Sequence, residues 1–426
     1  MGLFLGSFGG LLLIGVPIAM ALGVAAMLYH ADSGNFGLMA TFPQRMYNSV
    51  DQFVLLAVPL FLLAGNLMNF GGITERILRC ANAFVGHVRG GLSLVTVVAS
   101  LFFGGLTGAA AADTAALGSV LIPAMVKQGY PKEYAVGLLA ICAVVGAIIP
   151  PSIATIVYGV LTQTSIAQLF IAGIVPGVLL GLALLAYAWW VARRRNYPVS
   201  ERLNLRERVS ATIVATPVLV LPVIILGGIL LGVFTPTESA AVAVIYALVI
   251  SATIYRTLSW RNLWRPLVDA AMMTAGILFI VCMASMVQFI FSFERFPDQI
   301  ARLMLGITEN KYLLLLLINI FLLILGTFLE PIAAMILALP VLLEVIEVIE
   351  VDPIHFGTIV VLNIAIGLTT PPVGICLFIA SAIGRVSLEA ASLAMLPMLL
   401  ISVIVLMLVT YIPEISLFLP SLAFSR

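Results

Sequence analysis

The sequence predicts an all-α polytopic membrane protein made of two inverted-topology repeats, each with a re-entrant helical hairpin and a broken helix. Three observations carry this. The 426-residue chain is 62% hydrophobic and only 9% charged, where a soluble domain would carry about 25% charged residues. Residues 134–192 run for 59 positions without one Asp, Glu, Lys or Arg. Finally, Pro-Pro pairs interrupt two apolar stretches, at Pro150-Pro151 and Pro371-Pro372, 221 positions apart.

The first segment, 4–28, has no basic leader and is too long for a signal-peptide core, so it reads as a retained transmembrane helix. Further spans follow at 52–70, 166–192, 209–232, 237–255, 266–291 and 388–412. Stretches 134–162 and 355–384 are long enough to span but are split by the Pro-Pro pairs. Stretches 91–126 and 312–343 each carry a central kink signal and read as re-entrant hairpins. Segment 73–89 places Ile73, Ile77, Ala81, Phe84 and Val88 on one face and Arg76, Arg79 and His87 largely opposite, as an interfacial helix would. Segment 294–310 is its counterpart.

Lysine and arginine placement sets the orientation. The stretch RRRNYPVSERLNLRER, 193–208, carries six arginines and is expected in the cytoplasm. Threading outward from it puts 15 of the 20 basic residues on that side, leaving Arg45, Arg295, Arg302, Lys311 and Arg426 outside. This count holds only if both hairpins return to the side they entered. It places the N-terminus in the cytoplasm and the C-terminus outside.

The two halves correspond. Gly-Ala-Ile-Ile-Pro-Pro at 146–151 reappears as Gly-Leu-Thr-Thr-Pro-Pro at 367–372. Pro17 matches Pro236, Pro123 matches Pro340, and Ser165 and Pro176 match Ser387 and Pro397. The extra span at 209–232 inverts the second copy. Scaffold helices are expected at 1–72 and 209–292, arms at 73–90 and 293–311, the basic loop at 193–208, and a moving domain at 91–192 and 312–426. Inverted repeats with discontinuous helices are the architecture of secondary transporters, with the substrate at the midplane.

A Pro-Pro pair removes two backbone donors and frees carbonyls of the preceding turn. In lipid such groups cost several kcal/mol each, so a break survives only where it lines a protein-walled polar cavity. Freed carbonyls suit a cation, and the next half-helix N-terminus suits an anion. Ser152, Asn363, Thr369 and Thr370 add side-chain oxygens beside the breaks.

Of the 19 acidic residues, only Asp113, Glu238 and Glu330 lie well inside spans or hairpins. A carboxylate there costs about 2.5–3.5 kcal/mol on insertion scales and is a functional candidate by default. Aligning Pro123 with Pro340 sets Asp113 on Glu330, each at the start of its hairpin's second helix. There it either caps free amides or meets an ion or substrate, and sequence leaves both readings open. Glu238 reads as a helix cap. His30, His87 and His355 read as interfacial polar residues, and the four scattered cysteines as small apolar fillers.

The motifs GLTGAAAADTAALGSVLIPAM (105–125), GAIIPPSI (146–153), FTPTESAAVAVIYALV (234–249), FLEPIAAMILALPVLL (328–343) and HFGTIVVLNIAIGLTTPPVGICLF (355–378) carry a resemblance over essentially the whole chain. It resembles the large membrane subunit of the tripartite ATP-independent periplasmic (TRAP) transporters. One departure is ICAVVGAIIPP, where the family would carry a more polar, serine-bearing approach to the break. The resemblance implies sodium-driven, elevator-type import of an organic anion, such as a C4-dicarboxylate or sialic acid, across a bacterial inner membrane. It also implies two partners, a small four-helix membrane subunit and a periplasmic substrate-binding protein, and two or more co-transported sodium ions.

In the family, sodium sits where each hairpin tip meets its broken helix. Carried onto this chain, that names Thr107, Gly108, Asp113, Gly146, Pro150 and Ser152 at the first site. At the second it names Gly326, Thr327, Glu330, Asn363, Gly367, Thr369, Thr370 and Gly374. The substrate would meet Gly105, Thr107, Ser152, Thr327, Thr370 and Pro372.

A self-sufficient sodium–anion symporter without a binding protein remains the alternative. An intramembrane enzyme is disfavoured, because the chain has no HExxH, no GxSxG and no His inside a predicted span. The chain has no Gly-Lys pair and hence no P-loop. No organic cofactor, transition metal or nucleic acid is expected.

Overall fold

Residues 1–34, 36–199, 203–259 and 261–424 are described by a computed structural model of the chain. Arg202 and Arg426, both counted in the charge pattern, lie outside these residues. Every regular element among the described residues is a helix. Nine of those helices are long and apolar enough to cross a membrane, or ten spans if the bent pair Lys132–Ile148 and Ile153–Thr162 forms one. The chain is therefore an all-α, multi-pass membrane protein.

The single helix expected over 4–28 is corrected to two, Gly2–Leu13 and Ile18–Asp32, which pack on each other. Gly15 takes a left-handed φ of +82°, and Pro17 caps the second helix from outside its hydrogen-bonded turns. A proline without an N–H ends one helix and starts the next at low cost. The short helix Phe42–Val50 and the last helix, Glu414–Phe424, were not expected; the latter packs along Ile166–Arg194.

The two stretches expected as re-entrant hairpins are helix pairs, Gly91–Thr107 with Ala110–Lys127 and Lys311–Phe328 with Pro331–Val348. Of these, Ala110–Lys127, Lys311–Phe328 and Pro331–Val348 are each long and apolar enough to count among the nine. The broken helices are Lys132–Ile148 with Ile153–Thr162, bent by 43°, and Pro353–Gly367 with Ile375–Gly384. Their first halves are the core of the molecule. Every residue of 134–148 and of 355–367 is buried, as expected of helices that are apolar all round. The hairpins wrap these two core segments.

A second group of helices, Ala57–Phe70, Pro236–Val249 and Trp264–Phe293, packs together, and Trp264–Phe293 also runs against Pro331–Val348 of the second hairpin. Leu205–Leu230 leaves Ile213 and Val223 more than 60% exposed, which suits a lipid-facing or partner-facing surface. The arm helix Ile73–Val85 buries Ile73, Ile77 and Ala81 as its pattern demands. Phe84, expected on the same face, instead stands 53% exposed.

Candidate functional site

Each hairpin tip sits on a Pro-Pro break. At the first tip, Gly108 takes φ +61°, and a Cβ there would lie 2.5 Å from the Pro151 carbonyl oxygen. Only glycine permits both the left-handed turn and that approach. The Gly108 carbonyl accepts from Ile153 N–H at 3.4 Å, tying tip to break. Behind the tip, a Cβ on Gly104 would lie 2.2 Å from Gly146 Cα, so hairpin and broken helix touch backbone to backbone. Gly105 lies beside the Pro150 carbonyl.

Asp113 is buried in the fourth position of Ala110–Lys127 and caps nothing, which corrects the capping reading for this residue. The helix starts at Ala110, so the residue at the cap is Ala109, and the tip-region offset between the halves is not the one Pro123 and Pro340 set. Thr107 donates its hydroxyl to one carboxylate oxygen of Asp113. The other, Oδ2, is buried without a hydrogen-bond partner and would lie 2.5 Å from a Cβ on Gly146. A bare carboxylate oxygen in that setting calls for a proton or a cation. Ser152 is fully buried, and its Oγ accepts from Thr155 N–H at 3.3 Å as a helix cap.

The second tip repeats the pattern with different chemistry. Gly326 meets Gly367, the Thr327 carbonyl accepts from Gly374 N–H at 3.5 Å, and Gly374 takes φ +49°. Glu330 is the cap of Pro331–Val348, accepting from Ile332 N–H at 3.1 Å and Ala333 N–H at 3.4 Å. The hydroxyls of Thr369 and Thr370 both donate to the Ile366 carbonyl, at 2.8 and 2.9 Å. Pro371 and Pro372 are exposed, whereas Pro150 and Pro151 are buried. Asn363 faces away from the tip onto Asn319, a residue the sequence reading did not single out.

Between the two tips lies a cavity of about 370 Å³. Its walls include residues 108–111 and 330–332 from the tips, Ala147, Ile153, Leu368 and Ile375 from the broken helices, and Met272, Met273 and Gly276 from Trp264–Phe293. Of the residues expected to hold sodium, Gly108 and Glu330 line it. Gly105, Thr107, Ser152, Thr327, Thr370 and Pro372, expected to meet the substrate, do not. Four helices begin at its wall, at Ala110, Ile153, Pro331 and Ile375. Those starting at Ala110 and Ile375 have no side-chain cap. Periodicity could not have found this cavity, because its walls come from segments hundreds of residues apart.

Three other expectations resolve here. Glu238 completes a capping box with Thr235. His30 and His355, expected as interfacial polar residues, are buried within the protein: His30 sits among Tyr29, Phe42 and Phe289, and His355 pairs with Ser416 Oγ at 2.6 Å. Cys80, Cys142 and Cys376 are buried free thiols.

Broken helices, paired hairpins and a cavity between them define a membrane transporter fold. The family profile described as tripartite ATP-independent periplasmic transporter, DctM component, matches residues 5–415, and the chain belongs to that family. It is 40% identical over 97% of its length to an isethionate TRAP transporter permease protein, DctMQ, of Oleidesulfovibrio alaskensis, and spans 65% of that protein. It is also 40% identical to a C4-dicarboxylate TRAP transporter large permease protein, DctM, of Pseudomonas aeruginosa, over 88% of each chain. A solved structure of the Alcanivorax borkumensis YdaH transporter, titled as having an unusual topology, is similar in fold at 14% identity. Its TM-score is 0.62, over 91% of this chain and 90% of that one.

Proposed function

We propose that the chain imports an organic anion across a bacterial inner membrane, driven by sodium, through an elevator movement of its two hairpins and broken helices. The observation that carries this is the pair of hairpin tips, each hydrogen-bonded to a Pro-Pro break and both facing one cavity against Trp264–Phe293. Sodium is assigned to the two tip–break junctions. Asp113 Oδ2 and the residues around Gly146 serve the first, and the Thr327 carbonyl with the turn at 369–374 serves the second. Neutral oxygens and one carboxylate suit a hard monovalent cation.

The anion is assigned to the cavity between the tips. Among the described residues no Lys, Arg or His lines it, so positive potential is to come from the helix N-termini and from bound sodium. The uncapped start at Ala110 is the best-placed anion donor. Relatives equally similar to this chain carry names with different anions, isethionate and C4-dicarboxylate. The substrate class proposed is accordingly an organic acid, with C4-dicarboxylates and sialic acid as the first to test.

The proposed assembly adds a small four-helix membrane subunit and a periplasmic binding protein. The basic loop 193–208 is placed in the cytoplasm and the C-terminus on the periplasmic side. Reconstitution tests the assembly. The isolated chain is expected to give little uptake of the anion its binding protein captures, and the small subunit plus loaded binding protein to restore it. Robust uptake by the isolated chain would contradict the assembly and favour a self-sufficient symporter.

A further inference from the structure

We propose that Asn319 and Asn363 form a register lock that positions the second tip–break junction; its cation role rests on the sodium-coupled reading above. Asn319 lies on the first helix of the second hairpin, Lys311–Phe328, and Asn363 on Pro353–Gly367. Asn363 Nδ2 donates to Asn319 Oδ1 at 2.7 Å and to the Asn319 carbonyl at 3.1 Å. Asn319 Nδ2 donates to the Leu315 carbonyl at 2.8 Å and to Thr410 Oγ1 at 3.2 Å. The Thr410 hydroxyl donates to the Leu406 carbonyl at 2.8 Å. Both asparagines are wholly buried. One polar cluster thus ties the hairpin, the broken helix and Leu388–Tyr411 together, and Asn363 Oδ1 is left without a protein partner.

Packing does not require these amides. The glycine contacts of the two halves align at offsets of 222 (Gly104 to Gly326) and 221 (Gly146 to Gly367). Those offsets place Val97 at the position of Asn319 and Cys142 at that of Asn363. The offset of 222 between Ser165 and Ser387 places Ala188 at that of Thr410. Val97, Cys142 and Ala188 are all fully buried. At these three positions the first half therefore carries buried apolar side chains in place of the polar cluster.

Polar groups at membrane depth are kept where they do something that apolar packing cannot. A buried asparagine pair is directional, and in coiled coils a single such residue fixes register at a cost in stability. Contact between Gly326 and Gly367 sets how close the two helices come but leaves them free to slide. Asn363 lies one turn from Gly367 and removes that freedom. The junction takes its oxygens from both elements, the Thr327 carbonyl on one side and the turn at 369–374 on the other. A cation held between them therefore depends on their register. Asn319 and Asn363 act as positioning residues.

The test is a variant that copies the first half: Asn319→Val, Asn363→Cys and Thr410→Ala together, in the purified full chain in detergent. Without sodium, amide hydrogen exchange at Phe328 and Leu329 is expected to rise about tenfold, while Thr107 and Gly108 at the other tip stay unchanged. The sodium concentration that half-saturates thermal stabilisation, with potassium as control, is expected to rise about tenfold or more. The milder Asn319→Ser, which withdraws one amide, is expected to shift both readouts the same way and serves if the triple variant does not fold. Unchanged exchange at the second tip overturns the lock, and raised exchange with unchanged sodium half-saturation overturns its positioning role. If the wild-type chain shows no sodium stabilisation while exchange rises, the lock is supported and the sodium reading falls.

Discussion

Gly326 and Gly367 meet backbone to backbone: a Cβ built on Gly367 would lie 2.7 Å from Gly326 Cα. The same relation joins Gly104 to Gly146 in the first half. Each hairpin's first helix is thereby pressed onto a core helix just before its break, which is what brings tip and break within hydrogen-bond reach.

These contacts make a stability prediction. Gly104→Ala puts a methyl 2.2 Å from Gly146 Cα and is expected to destabilise the chain by about 1–3 kcal/mol, the usual cost of overpacking. Gly276→Ala, where nothing lies within 4 Å of the new Cβ, is expected to be neutral or slightly stabilising. Thermal unfolding in detergent compares the two; equal effects would contradict the close approach.

The two buried carboxylates should part company on substitution. Glu330→Ala removes the cap on Ile332 and Ala333 and is expected to cost about 0.5–2 kcal/mol, whereas Glu330→Gln keeps an acceptor and most of that stability. Asp113→Asn still accepts from Thr107 but loses its charge. It is expected to leave stability in potassium nearly intact and to weaken sodium stabilisation about tenfold or more. A sodium response unchanged in Asp113→Asn would remove this carboxylate from the cation site.

The breaks should also differ in access. Val373 is 42% exposed beside the second break, while Ser152 at the first is fully buried. With the half-buried Cys282 replaced by Ser, Val373→Cys is expected to react readily with a water-soluble maleimide and Ser152→Cys slowly. Equal labelling would contradict the arrangement of the breaks described here.

Much of this was legible in the sequence, for physical reasons. Proline lacks an N–H and glycine a Cβ, so Pro150-Pro151, Pro371-Pro372, Gly108 and Gly374 mark breaks and tips whatever surrounds them. Pro17 is equally plain a marker, yet the apolar run around it hid that Gly15 turns the chain there. Asp113 and Glu330 were both visible as rare buried acids, but their roles depend on where each helix starts, a difference of a few residues that composition does not encode. Asn319 went unnoticed because a lone amide in LLLLLINIF carries no signal until Asn363 is seen across from it. The cavity wall at Met272, Met273 and Gly276 is a tertiary fact with no local pattern.

The central claim is that sodium drives uptake through the two tip–break junctions. Moving one net charge through 100 mV is worth about 2.3 kcal/mol, so two or more sodium ions with a monoanion would make uptake electrogenic. The decisive measurement is uptake of the captured anion by proteoliposomes holding the chain and its small subunit, with loaded binding protein outside. An inward sodium gradient is expected to drive uptake, an inside-negative potential to increase it, and Thr370→Val to reduce its sodium dependence. Equal uptake in potassium with only a pH gradient would contradict the account.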